Sequence, residues 1–150
     1  MKIAISNDHG AVYLKQEISA HLQNRSDVEV INFGTNTEAR VEYPGCAAEV
    51  AEKVAAGDFD LGILLCGTGA GMSIAANKIR GIRAVVCSEP YTARLAREHN
   101  NANILCIGAR VVGSELGKMI ADTFLDARFK GGRHKERVDM ITELETSRII

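Results

Sequence analysis

The sequence has almost no net charge, no closely spaced cysteine pair and no apolar run long enough to cross a membrane. Each absence closes off a class of function. Eighteen Lys and Arg stand against nineteen Asp and Glu, a formal charge of −1 over 150 residues. That balance gives the molecule no overall attraction to nucleic acid or to an anionic membrane surface. The four cysteines, Cys46, Cys66, Cys87 and Cys106, form no C-x-x-C pair, and no His is placed to complete a zinc set. No metal or other cofactor is expected, and the thiols are expected to be reduced, as in a cytoplasmic protein. The opening MKIAIS enters a strand pattern at once and lacks the apolar core of a secretory leader. No stretch nears the ~20 apolar residues of a membrane span. Internal repeats, low-complexity tracts and linkers are missing too, so the length predicts a single domain over residues 1–150.

What is present alternates. Ile3 to Ser6, Val28 to Asn32, Leu61 to Leu65, Arg83 to Cys87 and Ile104 to Ile107 read as short apolar strands. Between them, apolar residues recur at helical spacing: Ala11, Leu14, Ile18 and Leu22, then Ala47, Val50, Ala51 and Val54 after a helix-opening Pro44. A short helix is predicted over Ser73 to Lys78, another from about Pro90 to Glu98, and one carrying Leu116, Met119, Ile120 and Phe124. Strands alternating with helices imply parallel pairing through right-handed crossovers. The prediction is a three-layer, doubly wound, Rossmann-like α/β fold with a five-stranded parallel sheet and an extra C-terminal helix. That helix, about 133–147, has a sparse apolar face and is expected to pack on a partner subunit.

Open parallel sheets bind ligands beyond the carboxyl ends of their strands. The residues flanking the strands are therefore the candidates: Asn7-Asp8-His9, the run CGTGAG from Cys66 to Gly71, Ser88-Glu89, His99-Asn100 and Gly108-Ala109-Arg110. Three glycines in five positions allow a tight turn whose N–H groups point inward, and the following helix adds its partial positive end. Such a loop suits an oxyanion or a phosphate, and a thiol at its edge is placed to act as a base. The plainer reading makes Cys66 a small buried hydrophobe and the glycines mere turn formers. Asp8 could equally be a helix cap, His99 ordinary loop chemistry, and Tyr43 a packing residue before Pro44. Between Arg128 and Arg137, five basic residues face one acid, Glu136. Arg133 and Arg137 share a helix face at i, i+4, and two guanidinium forks there suit a phosphate dianion.

Taken together, Asp8-His9, Tyr43-Pro44, CGTGAG with SIAANK, GIRAVVCSEPY, REHNNAN, GARVVG and GGRHKERV resemble, in order, the B-type ribose-5-phosphate isomerases. These share a wider family with galactose-6-phosphate isomerase subunits. The resemblance runs from Lys2 to about Glu145, and the CGTG cysteine favours the ribose-type branch. It implies a metal-free aldose–ketose isomerase in which Cys66 takes the proton from carbon 2 and His99 helps open the furanose ring. Thr68 assists proton movement, and the backbone from Gly67 through Gly69 and Ala70 to Gly71 holds the enediolate oxygen. Asp8, Tyr43 and Asn100 contact the sugar, while His9, Arg110, Arg133 and Arg137 surround the phosphate. It also implies a homodimer or dimer of dimers with active sites shared between subunits. Two positions depart from the family pattern: Ala11 where Gly is expected, and Glu42 where Asp is expected. Both bear on which sugar is used, with allose 6-phosphate, a tetrose phosphate or galactose 6-phosphate as alternatives.

Two other classes compete. A dinucleotide-binding oxidoreductase would use a Gly-rich loop, but the spacing here is G-x-G-x-G after the third strand, not G-x-G-x-x-G after the first. A non-catalytic sugar-phosphate sensor could use the same fold, yet binding alone would need neither Cys66 nor His99.

Overall fold

The computed structural model describes residues 1–147. In chain order the elements are β1 (Lys2–Asn7), a 3-10 turn (His9–Ala11), α1 (Val12–Gln23), β2 (Glu29–Asn32), α2 (Tyr43–Ala55), β3 (Leu61–Cys66) and α3 (Ala70–Ala76). Then come β4 (Ala84–Val86), α4 (Pro90–Asn100), β5 (Ile104–Gly108), α5 (Ser114–Asp126) and α6 (Arg133–Thr146). All pairings are parallel, in the order β2-β1-β3-β5-β4.

The side-chain period of two divides the strands between two cores. Ile3, Ile5, Ile63, Leu65, Leu105 and Ile107 point to the face covered by α1, α4 and α5. Ala4, Leu64, Cys66, Ile104 and Cys106 point to the face covered by α2 and α3. Both faces of β3 and β5 are thus buried, which is why they read as unbroken apolar runs. Each Leu or Ile so buried contributes about 1.5–3 kcal/mol. Gly62 lets this layer close: a Cβ there would meet Val50 and Ile104 at 2.9 and 3.0 Å. The three-layer fold of the prediction is present. The edge strands β2 and β4 are shorter than their apolar runs, since one flank of each has no partner strand.

Two details differ from the sequence reading, and Glu42, one of the departures from the family pattern, finds its place. The helix expected from Ser73 begins at Ala70, inside the glycine run, because Gly69 adopts a left-handed φ of 80° and turns the chain straight into α3. Ala11 belongs to the 3-10 turn, not to α1, and is 1% exposed, so its methyl fills core space. Glu42 occupies the cap position of α2 without capping it and pairs instead with Arg40 at 3.0 Å.

α6 lies across the amino edge of the sheet. At its start His134 stacks on His99, with ring centroids 4.1 Å apart, and near its end Glu145 accepts the Gly81 N–H at 3.1 Å. Val138 is its buried residue, while Met140, Ile141 and Leu144 face outward.

Candidate active site

The carboxyl ends of β1, β3 and β5 converge on Cys66. The sulfur, 5% exposed, accepts the Gly69 N–H at 3.1 Å. Burial pushes the other three thiols up, Cys46, Cys87 and Cys106, with Cys87 raised to about 11. Around Cys66 the loop is held tightly. Ala109 and Arg110 donate backbone N–H groups to the carbonyls of Cys66 and Gly67 at 2.8 and 3.0 Å. The Thr68 hydroxyl accepts the Ala70 N–H at 3.3 Å. Gly108 permits the closest approach: a Cβ there would sit 2.7 Å from the Thr68 backbone.

Four more predicted residues join this edge. Asp8 donates its N–H to Leu65 and caps the 3-10 turn through Gly10 at 2.9 Å. His9 accepts the Val41 N–H on Nδ1 at 3.3 Å, which leaves Nε2 to carry the ring proton. The Tyr43 ring lies against Gly71, where a Cβ would be 2.8 Å from it. The Arg110 side chain passes over Gly67, 3.5 Å from where a Cβ would be.

His99, Asn100, Arg133 and Arg137 are not among these neighbours. α4 runs antiparallel to the strands, so a residue just before β5 sits at the amino edge. Reading His99-Asn100 as part of the same rim as Cys66 overlooked that direction, and the structure corrects it. The two edges are separated by the length of β3, roughly 16 Å at about 3.3 Å per residue. At the amino edge, Asn100 and Arg137 line a cleft of ≈ 650 Å³ with Met140, Ile141 and Leu144, and His99 is clamped by His134. Burial and the charges of His99, Arg133 and Arg137 hold the His134 imidazole below its usual range. Lys130 pairs with Glu98 at 2.6 Å and donates its N–H to the Glu98 carbonyl, which pins the GG segment to α4.

Sequence reasoning missed Gly10 and His134, and it placed Gly108 at the rim without its contact. A glycine at the end of β5, in GAR, was visible, but nothing in one sequence says which backbone it must touch. The same holds for Asn7, buried with an unpartnered Oδ1 against Gly34. No cluster of His, Cys, Asp and Glu among the described residues could hold a metal ion, and no helix among them is long and apolar enough to cross a membrane.

The chain can be set beside known proteins on this geometry. The Ribose/Galactose Isomerase family matches residues 3–141. Ribose-5-phosphate isomerase B of Escherichia coli is 57% identical over 147 residues, covering 98% of each chain. D-erythrulose-4-phosphate isomerase of Pectobacterium atrosepticum is 42% identical over 142 residues, covering 94% of this chain and 93% of that one. The solved structure of Clostridium thermocellum ribose-5-phosphate isomerase B superposes with a TM-score of 0.95 at 54% identity, over 98% of this chain and 99% of the other. With its fold, its strand-end cysteine loop and this likeness along nearly its whole length, the chain belongs to the ribose/galactose isomerase family, on the type B ribose-5-phosphate isomerase branch, and is an aldose–ketose isomerase.

Proposed function

We propose that this enzyme interconverts ribose 5-phosphate and ribulose 5-phosphate through an enediolate, with Cys66 as the base. The observation that carries the reading is the Gly69 N–H on the Cys66 sulfur at the head of a glycine loop. The carbon acid beside a carbonyl needs a positioned base and a stabilised oxyanion. Cys66 takes the proton from carbon 2 of the open-chain aldose and returns it to carbon 1. The N–H groups of Gly67 to Gly71 hold the enediolate oxygen, and the Thr68 hydroxyl moves the proton between oxygens. Removing one donor from such an oxyanion site costs about 3–4 kcal/mol of barrier. Asp8 and Tyr43 hold sugar hydroxyls, and His9 and Arg110 lie in reach of the substrate's charged end.

His99 acts at the ring oxygen, only a few bonds from carbon 2. Its own chain's Cys66 is a sheet length away, so the working site needs the partner subunit's His99. Two copies related by a two-fold axis would set the amino edge of one on the carboxyl edge of the other, twice over. Asn100, Arg133 and Arg137 would then reach the sugar and phosphate from across the interface. The exposed Met140, Ile141 and Leu144 of α6, next to that half-site, suit burial in such a contact.

The alternative of a four-carbon sugar phosphate draws support from the D-erythrulose-4-phosphate isomerase likeness, but the identity to the ribose-type enzymes is higher. Specificity constants for four-, five- and six-carbon aldose phosphates test the choice. The five-carbon substrate should lead, and a lead by another length would reassign the substrate without changing the reaction.

A further inference from the structure

The basic run that opens the last helix does not act as one patch. Lys130 is taken by Glu98 and Lys135 by Asp139. Arg133 and Arg137 belong to the amino-edge half-site. Arg128 turns the other way, into a separate cleft of ≈ 420 Å³ under the amino ends of β3 and β5, lined also by Asp60, Arg97, Asn101 and Asn103. None of the residues assigned to isomerisation lines it.

Two guanidinium groups share this cleft without a carboxylate between them among the described residues. Arg97 ties one nitrogen to the Ala102 carbonyl at 2.6 Å, and Arg128 ties one to the Leu125 carbonyl at 2.6 Å. Neither Nη2 has an acceptor among the described residues. The Arg97 Nε is buried with no partner at all. The Arg97 guanidinium lies over the Phe124 ring, 5.6 Å from its centroid. Burial, then the charges of Arg128 and Arg83, push its guanidinium down from the ordinary value. A third guanidinium, Arg83, is held behind it on the Asn101 carbonyl at 2.9 Å. The carboxylate lining the cleft, Asp60, accepts the Lys2 N–H at 2.6 Å and pairs with neither arginine.

We infer that this cleft is a second anion site, distinct from the isomerase site, that binds a small phosphate monoester. The phosphate bridges the Arg97 and Arg128 guanidinium groups, whose planar forks match its oxygens. Asp60 stands opposite as an acceptor for a hydroxyl on the same ligand. The volume lies within the range of small-molecule sites. Binding offsets the mutual repulsion of fixed positive charges, so occupancy stabilises the C-terminal turn of α4, two residues from His99.

The test uses the full chain carrying Arg133→Ala and Arg137→Ala, which removes those two arginines from the proposed phosphate grip. Calorimetry and thermal melts are read with inorganic phosphate and with glycerol 3-phosphate, which has no carbonyl to isomerise, against chloride at matched ionic strength. Both phosphates should bind and raise the melting temperature beyond chloride, glycerol 3-phosphate the more strongly because of its hydroxyls. Adding Arg128→Ala should weaken both about tenfold, the loss of one charge-assisted grip. Arg128→Gln serves should the alanine variant not fold. In the otherwise native enzyme Arg128→Ala should leave turnover unchanged. Phosphate affinity that does not depend on Arg128, or no response beyond chloride in the Arg133/Arg137 background, would overturn the site.

Discussion

The Cys66 sulfur and the Gly69 amide face each other at 3.1 Å, on the turn where β3 becomes α3. The contact joins the group proposed to move the proton to the loop proposed to hold the resulting charge. Replacing Cys66 with Ala removes the base and leaves the loop. Turnover should fall about a hundred- to ten-thousand-fold, while a substrate-like phosphate ligand should bind within a few-fold of native affinity by calorimetry. Retained turnover would remove Cys66 from the chemistry.

Gly108 and Gly71 separate a fold constraint from a site constraint. A Cβ at Gly108 meets Thr68 backbone at 2.7 Å, and backbone does not yield. Gly108→Ala should cost about 1–3 kcal/mol of stability and activity with it. A Cβ at Gly71 meets the exposed Tyr43 ring at 2.8 Å, and that ring can swing away. Gly71→Ala should therefore keep most of its denaturant midpoint but raise KM. Equal stability losses in the two variants would contradict the distinction.

His99 should matter only for substrates that close a ring. An aldose 4-phosphate has its fourth oxygen esterified and cannot form a furanose. His99→Asn should strongly reduce turnover of ribose 5-phosphate yet spare that of erythrose 4-phosphate, if the native enzyme accepts it. Parallel loss on both would place His99 in the proton transfer itself.

Alkaline stability should be set partly by Cys87. Burial raises its folded value to about 11 from an ordinary 9.0. Between those values the unfolded chain gives up the proton while the folded chain keeps it, so stability falls as pH rises through the window. Two pH units of difference correspond to roughly 2–3 kcal/mol. Urea midpoints at pH 8 and pH 10.5 should show the decline, and Cys87→Ala should make it smaller, leaving the share of the raised Cys46 and Cys106 thiols. An unchanged decline in that variant would assign the effect to other groups.

The elements were legible because β3 and β5 are buried on both faces and α1 and α2 keep one apolar stripe each. The start of α3 was not, because it depends on one left-handed glycine, Gly69, which looks like its neighbours in sequence. The carboxyl-edge residues could be read off the strand ends, since Cys66 ends β3, Asp8 follows β1 directly and Arg110 comes two residues after β5. His99 was misplaced for a directional reason: a residue before a strand lies at the opposite edge from a residue after one. The stacking of His134 on His99, and the division of the basic run into Arg133/Arg137 on one side and Arg128 on the other, depend on how α6 crosses the sheet edge. Local sequence carries no record of that crossing.

Subunit mixing tests the central claim most directly, because it asks whether Cys66 of one chain works with His99 of another. Cys66→Ala and His99→Asn proteins, each inactive on ribose 5-phosphate, are combined, exchanged under mild denaturant and assayed. A mixed dimer would pair the intact Cys66 of one chain with the intact His99 of the other at one of its two sites. Activity should return to about a quarter of native at equal mixing, the share expected for random pairing of a two-fold dimer. No recovery after proven subunit exchange would contradict a site shared between chains.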